Sequence, residues 1–105
     1  MTKTYNKLVR DNIPAIIQAK GAVCETEILS DAAYLRLLDA KLDEELAEYH
    51  QDQNLEELAD LMEVIYACAK ARGYTVAELE SVRAEKAAKR GGFDRKILLK
   101  TVTED

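Results

Sequence analysis

Apolar residues return at steps of three and four along most of this chain, the repeat expected of helices that bury one face. Between Ser30 or Asp31 and about His50, the residues Leu35, Leu38, Leu42, Leu46 and Tyr49 share such a face. Gln51 to Gln53 make a tight break. Asn54 then caps a helix predicted to reach about Arg72 and to stop at Gly73. Leu55, Leu58, Leu61, Met62, Ile65 and Ala69 form its main stripe, which Val64, Ala67 and Cys68 widen toward the back. Thr75 and Glu78 compose a capping box for another helix, expected to end near Arg90 before Gly91 and Gly92. Upstream, Asp11 or Asn12 precedes a short helix with Pro14 in its first turn and Gly21 at its end. Thr4 to Val9 is short and basic, and Ala22 to Leu29 alternates in part between apolar and acidic positions, an extended pattern. Phe93 to Val102 carries the apolar run Ile97-Leu98-Leu99, expected to lie against the body.

One Pro and four Gly leave few breaks, so the predicted fold is all-α, an antiparallel helical bundle. A chain of 105 residues fits one domain spanning 1–105. The helix opened by Asn54 is apolar on more than one side, and so small a domain has few elements to cover it. A partner subunit is therefore expected to complete the core.

Composition narrows the classes. Charged residues make 33% of the chain and hydrophobic ones 48%, too apolar for disorder and too charged for a membrane span. A net charge of −5 argues against general attraction to a nucleic-acid polymer or an anionic membrane. Met1 to Arg10 holds no apolar signal-peptide core, which predicts a cytoplasmic protein. Cys24 and Cys68 are too isolated for a zinc pattern or a redox pair, and read as reduced, partly buried thiols. No Gly-rich phosphate loop, H-E-x-x-H or G-x-S-x-G occurs, and the single histidine, His50, reads as a solvent-facing helix-end residue.

The acidic residues carry more information. Two similar stretches, Glu44-Glu45-Leu46-Ala47-Glu48 and Glu56-Glu57-Leu58-Ala59-Asp60, sit on successive helices. At 100° per residue Glu45 falls about 60° from the apolar stripe of its helix, whereas Glu44 points away as ordinary surface. Glu48 lies one turn on from Glu45, with Lys41 on the same side. Glu57, Asp60, Val64 and Ala67 define a seam apart from the main stripe. Carboxylates crowded at a seam repel one another and lose hydration, a cost that a divalent cation removes. Oxygen ligands without His or Cys suit Mg²⁺, or Mn²⁺. The spacing alone leaves the bland reading open: among 20 acids, pairs spaced as E-x-x-E arise by chance, and Glu57 is placed to cap its helix beside Asn54.

The pairs Glu45 and Glu48, then Glu57 and Asp60, resemble the signature of the MazG-like all-α nucleoside triphosphate pyrophosphohydrolases. The opening Tyr5-Asn6-Lys7-Leu8-Val9-Arg10-Asp11-Asn12-Ile13-Pro14 and the closing Lys89-Arg90-Gly91-Gly92-Phe93 resemble the phosphoribosyl-ATP pyrophosphohydrolase-like branch of that superfamily. The resemblance covers about Tyr5 to Leu98. It implies a MazG-like bundle, a homodimer or homotetramer, and Mg²⁺ held by Glu45, Glu48, Glu57 and Asp60. It further implies cleavage of a nucleoside triphosphate between the α and β phosphates, giving a monophosphate and pyrophosphate, as in the clearing of surplus nucleotides. Lys7, Arg10, Lys89 and Arg90 are then candidate phosphate contacts, with Lys41 added from helix geometry. The alternatives are phosphoribosyl-ATP hydrolysis in histidine synthesis, and a non-catalytic helical module that binds a nucleotide or a protein.

Overall fold

The structure, a computed structural model, describes residues 1–104. It is all-helical, with no strand among the described residues: α1 spans Ile13–Ala19, α2 Asp31–Asp52, α3 Leu55–Ala71 and α4 Val76–Arg90. Local chemistry sets these boundaries. The Ser30 hydroxyl accepts from the Ala33 N–H, and the Asn54 side chain accepts from the Glu57 N–H, each satisfying a donor that the helix leaves free at its start. The capping box at α4 is complete, since Thr75 accepts from the Glu78 N–H and Glu78 accepts from the Thr75 N–H. Thr75→Ala is expected to cost about 1 kcal/mol, seen as a lower thermal midpoint. At α1, Asn12 holds the cap position without a side-chain cap bond, and Pro14 stands in the first turn.

Two expectations change. α2 continues past His50 to Asp52, because Gln51 and Asp52 stay helical and only then does Gln53 adopt the left-handed conformation (φ 51°) and close the helix on the Tyr49 carbonyl. Gln53 and Asn54 are then the whole link to α3. The tail does not lie against the body: Phe93 is 96% exposed and Ile97, Leu98 and Leu99 are open to solvent. Ala22 to Leu29 forms no regular element.

The core is one helical hairpin. Asp39 lies beside Cys68, and Glu45 beside Glu57 and Asp60, so α2 and α3 run antiparallel. Their packed faces carry the two buried apolar residues among those described, Leu38 and Val64. α4 touches α3 lightly, and α1 packs on no other helix. The single chain is thus a hairpin with appended helices rather than a closed bundle. Its accessible surface is 9625 Å², where a compact monomer of this mass exposes about 5,900 Å². Its radius of gyration is 18.6 Å, against about 13 Å for a compact domain of 100 residues. The α3 seam of Asp60, Val64 and Ala67 faces α2, whereas Leu55, Leu58, Met62 and Ile65 of the main stripe face outward, with Leu55 81% and Met62 51% exposed, and Leu61 and Ala69 are half-buried. No helix among the described residues is long and apolar enough to cross a membrane.

Candidate acidic site on the helical hairpin

The two-residue link folds α3 back so that its first turns lie beside the last turns of α2. The acidic stretches therefore face each other. Oxygens of Glu45, Glu57 and Asp60 lie within 4.8 Å of one another, and those of Glu44, Glu45 and Glu48 do likewise. Glu45 belongs to both groups. All four predicted ligands are thus gathered around it, in two overlapping sets.

Glu45 is the unusual member. It is 6% exposed, and its Oε2 has no hydrogen-bond partner, nor has the buried Oε2 of Glu57. Most buried polar atoms are paired, and an orphaned acceptor carries a desolvation cost. Burial pushes the Glu45 carboxyl above its ordinary range, and Glu48 adds to this while Lys41 opposes it. Loss of hydration likewise raises Glu57, with Asp60, Asp52 and Glu45 pushing the same way. Two carboxylates that each leave an anionic oxygen unpartnered, in a group whose oxygens lie this close, fit a hard divalent cation, which would offset the repulsion and the lost hydration.

The basic residues divide. The Lys7 ammonium donates to Glu44 at 2.7 Å, and Lys41, 16% exposed, lies 3.2 Å from Glu44 and 3.3 Å from Glu45. The Arg10 guanidinium donates to Asp60 at 2.6 Å. Lys89 instead pairs with Glu85 on its own helix, and Arg90 is exposed. Among the described residues, no ion pair joins either to the acidic group. α4 leaves the hairpin near Ala69 and Tyr74, at the end away from Glu45, so a single chain does not bring them there.

Glu44 corrects the helical projection. Expected as plain surface, it is half-buried between Lys7 and Lys41, and the Lys7 hydrogen bond holds its carboxyl below the ordinary range. The same bond raises Lys7. The projection places residues relative to the α2–α3 packing only, and the basic segment folded over α2 comes from outside that frame. Leu8 sits beside Leu37 and Ala40 in a small cleft there. Cys24 and Cys68 are free and half-buried, and burial raises the Cys68 thiol. His50 is exposed, its ring tilted against Tyr49.

Over 42 residues the chain is 55% identical to an uncharacterized protein of Mycolicibacterium smegmatis, a match covering 40% of this chain and 43% of that protein. The chain thus matches less than half of that relative's length. No family model matches the chain. No solved structure matches it.

Proposed function

We propose that the chain is a Mg²⁺-dependent nucleotide pyrophosphohydrolase that cleaves the α–β phosphoanhydride of a nucleoside triphosphate. The observation that carries this reading is that Glu45 and Glu57, each with a buried and unpartnered Oε2, belong to one group with Asp60 whose carboxylate oxygens lie within 4.8 Å of one another. The order of acidic pairs, similar to that of MazG-like enzymes, supports it. Glu45, Glu48, Glu57 and Asp60 would hold the metal. When bound, Mg²⁺ supplies charge neutralisation of the polyphosphate and a more acidic water.

The remaining steps belong to the chain's own groups. Lys7, Lys41 and Arg10 stand at the rim of the carboxylates and would meet phosphate oxygens there. A carboxylate of this group not engaged with metal accepts the proton of the attacking water, the role that a raised carboxyl pKa favours. Water attacks one phosphorus of the α–β bridge, the bridging P–O bond breaks, and its electron pair leaves on the departing phosphate. The products are a monophosphate and pyrophosphate.

The functional unit in this reading is a homodimer or homotetramer in which a second copy covers the outward stripe of α3. The chain exposes about 3,700 Å² more than a compact monomer of its mass, surface that a second copy could cover. A second copy is also the source from which Lys89 and Arg90 would reach the phosphates.

The test uses the full chain with a panel of nucleoside triphosphates and phosphoribosyl-ATP, with Mg²⁺ and with chelator. Pyrophosphate released only with metal, and lost in Asp60→Asn, is the expected result. Orthophosphate as the first product, or turnover indifferent to chelator, would overturn the proposal.

A further inference from the structure

The N-terminal segment is tied to the hairpin by little chemistry for its length. Among the described residues, the Lys7–Glu44 and Arg10–Asp60 bonds are the only hydrogen bonds joining residues 1–20 to α2 or α3. Leu8 is half-buried, its neighbours in the segment are exposed, and α1 packs on no helix. Both ion pairs are substantially exposed, so each is screened and contributes little on its own.

The placement of these cations is not arbitrary. Arg10 holds Asp60, which belongs to the same acidic group as Glu45 and Glu57, the two carboxylates with an unpartnered oxygen. A metal ion that draws on Asp60 would share one carboxylate charge with the Arg10 guanidinium, so each weakens the hold of the other. With Lys7, Arg10 and Lys41 against Glu44, Glu45, Glu48, Glu57 and Asp60, the group keeps an excess of negative charge even while the segment is docked.

We infer that Arg10 is a built-in counter-ion of the acidic site: it occupies Asp60 until a divalent cation takes that carboxylate, and the released guanidinium then binds the phosphates of the incoming polyphosphate. The inference rests on the metal-site reading above and adds an order of events to it. A guanidinium suits this exchange because its planar fork pairs equally well with a carboxylate and with a phosphate. The N-terminal segment is retained near the site by its chain connection, so the same group that competes with metal is at hand when the triphosphate arrives.

Opposite signs in two binding measurements test this. The full-length protein, Arg10→Gln and Arg10→Lys are titrated calorimetrically with Mn²⁺ alone, and then with inorganic pyrophosphate at saturating Mn²⁺. Arg10→Gln is expected to bind Mn²⁺ about fivefold more tightly, because its competitor is gone, and pyrophosphate about tenfold more weakly. Arg10→Lys keeps the charge and should restore Mn²⁺ affinity toward the native value while recovering only part of the pyrophosphate binding. In the native protein Mn²⁺ should speed amide exchange over residues 5–11. Shifts of the same sign, no shift in Mn²⁺ affinity, or slower exchange in that segment would each overturn the inference and leave the metal site standing. Absence of Mn²⁺ binding in every form would overturn the metal-site reading and this inference with it.

Discussion

Glu45→Gln is expected to make the metal-free protein more stable while removing metal-dependent turnover. Glu45 is buried with one oxygen unpartnered and with Glu48 beside it, so in the absence of a cation its charge opposes folding. Gln keeps the volume, removes the charge and brings an amide donor to the neighbouring carboxylates. A gain of about 1 kcal/mol, or about 4 to 8 °C in thermal midpoint, follows for a domain of this size. Turnover should fall about a hundredfold or more, since even groups that merely support a metal ligand cost that order when lost. The pH dependence separates this from a packing effect. A carboxyl raised in the folded state contributes stability that is fully present below its unfolded value, near 4.5, and is lost as pH rises through the folded value. Acidifying the native protein from neutral toward that unfolded value should therefore stabilise it through Glu45 and Glu57, and less so in Glu45→Gln. Glu44 works in the opposite sense: its pair with Lys7 is present above that unfolded value and is lost as pH falls through its lowered folded value. Thermal midpoints of both proteins across this window, with chelator, check the sign. A variant less stable than the native protein at neutral pH would show that Glu45 is a satisfied structural residue.

Which parts were legible in the sequence follows from the range of the forces involved. Helix ends at Ser30, Asn54, Thr75 and Gly91 are written within four residues of where they act, and were readable. The inward turn of Glu45 and the seam of Glu57, Asp60 and Val64 follow from helical geometry once two helices are known to pack. Helical periodicity did not say which of two apolar rows on α3 meets α2. The weaker row does, and the stronger one, with Leu58, Met62 and Ile65, is left outward. The docking of Lys7 on Glu44, 37 positions away, has no local signature, nor does the pairing of Arg10 with Asp60 across 50 positions. The exposed Ile97-Leu98-Leu99 shows the limit of hydrophobicity as a guide: an apolar run specifies burial only where something complementary can cover it.

If a second copy covers α3 as proposed, Ile65→Glu is expected to dissociate that assembly and to take most of the chain's stability with it. The single chain buries Leu38 and Val64 and little other apolar area, which is too small a core to offset the conformational entropy of ordering four helices. Leu58, Met62 and Ile65 form a continuous exposed row on the helix that contributes most to the hairpin. Burying a residue such as Ile65 against a second copy yields about 1.5 to 3 kcal/mol, and a twofold interface counts it twice. Replacing it with a carboxylate should therefore weaken self-association by about a hundredfold or more. In sedimentation the native protein should run as a multiple of its 11.8 kDa chain, and Ile65→Glu as the monomer with a shallow, poorly cooperative melt. Glu63→Lys, an exposed polar position on the same helix, controls for charge change and should keep the native assembly. The acidic group lies on the hairpin itself, so loss of assembly should loosen α2 against α3 and weaken Mn²⁺ binding even though Ile65 is not a member of that group. A native protein that sediments as an 11.8 kDa monomer and still melts cooperatively would show that the outward row of α3 needs no second copy.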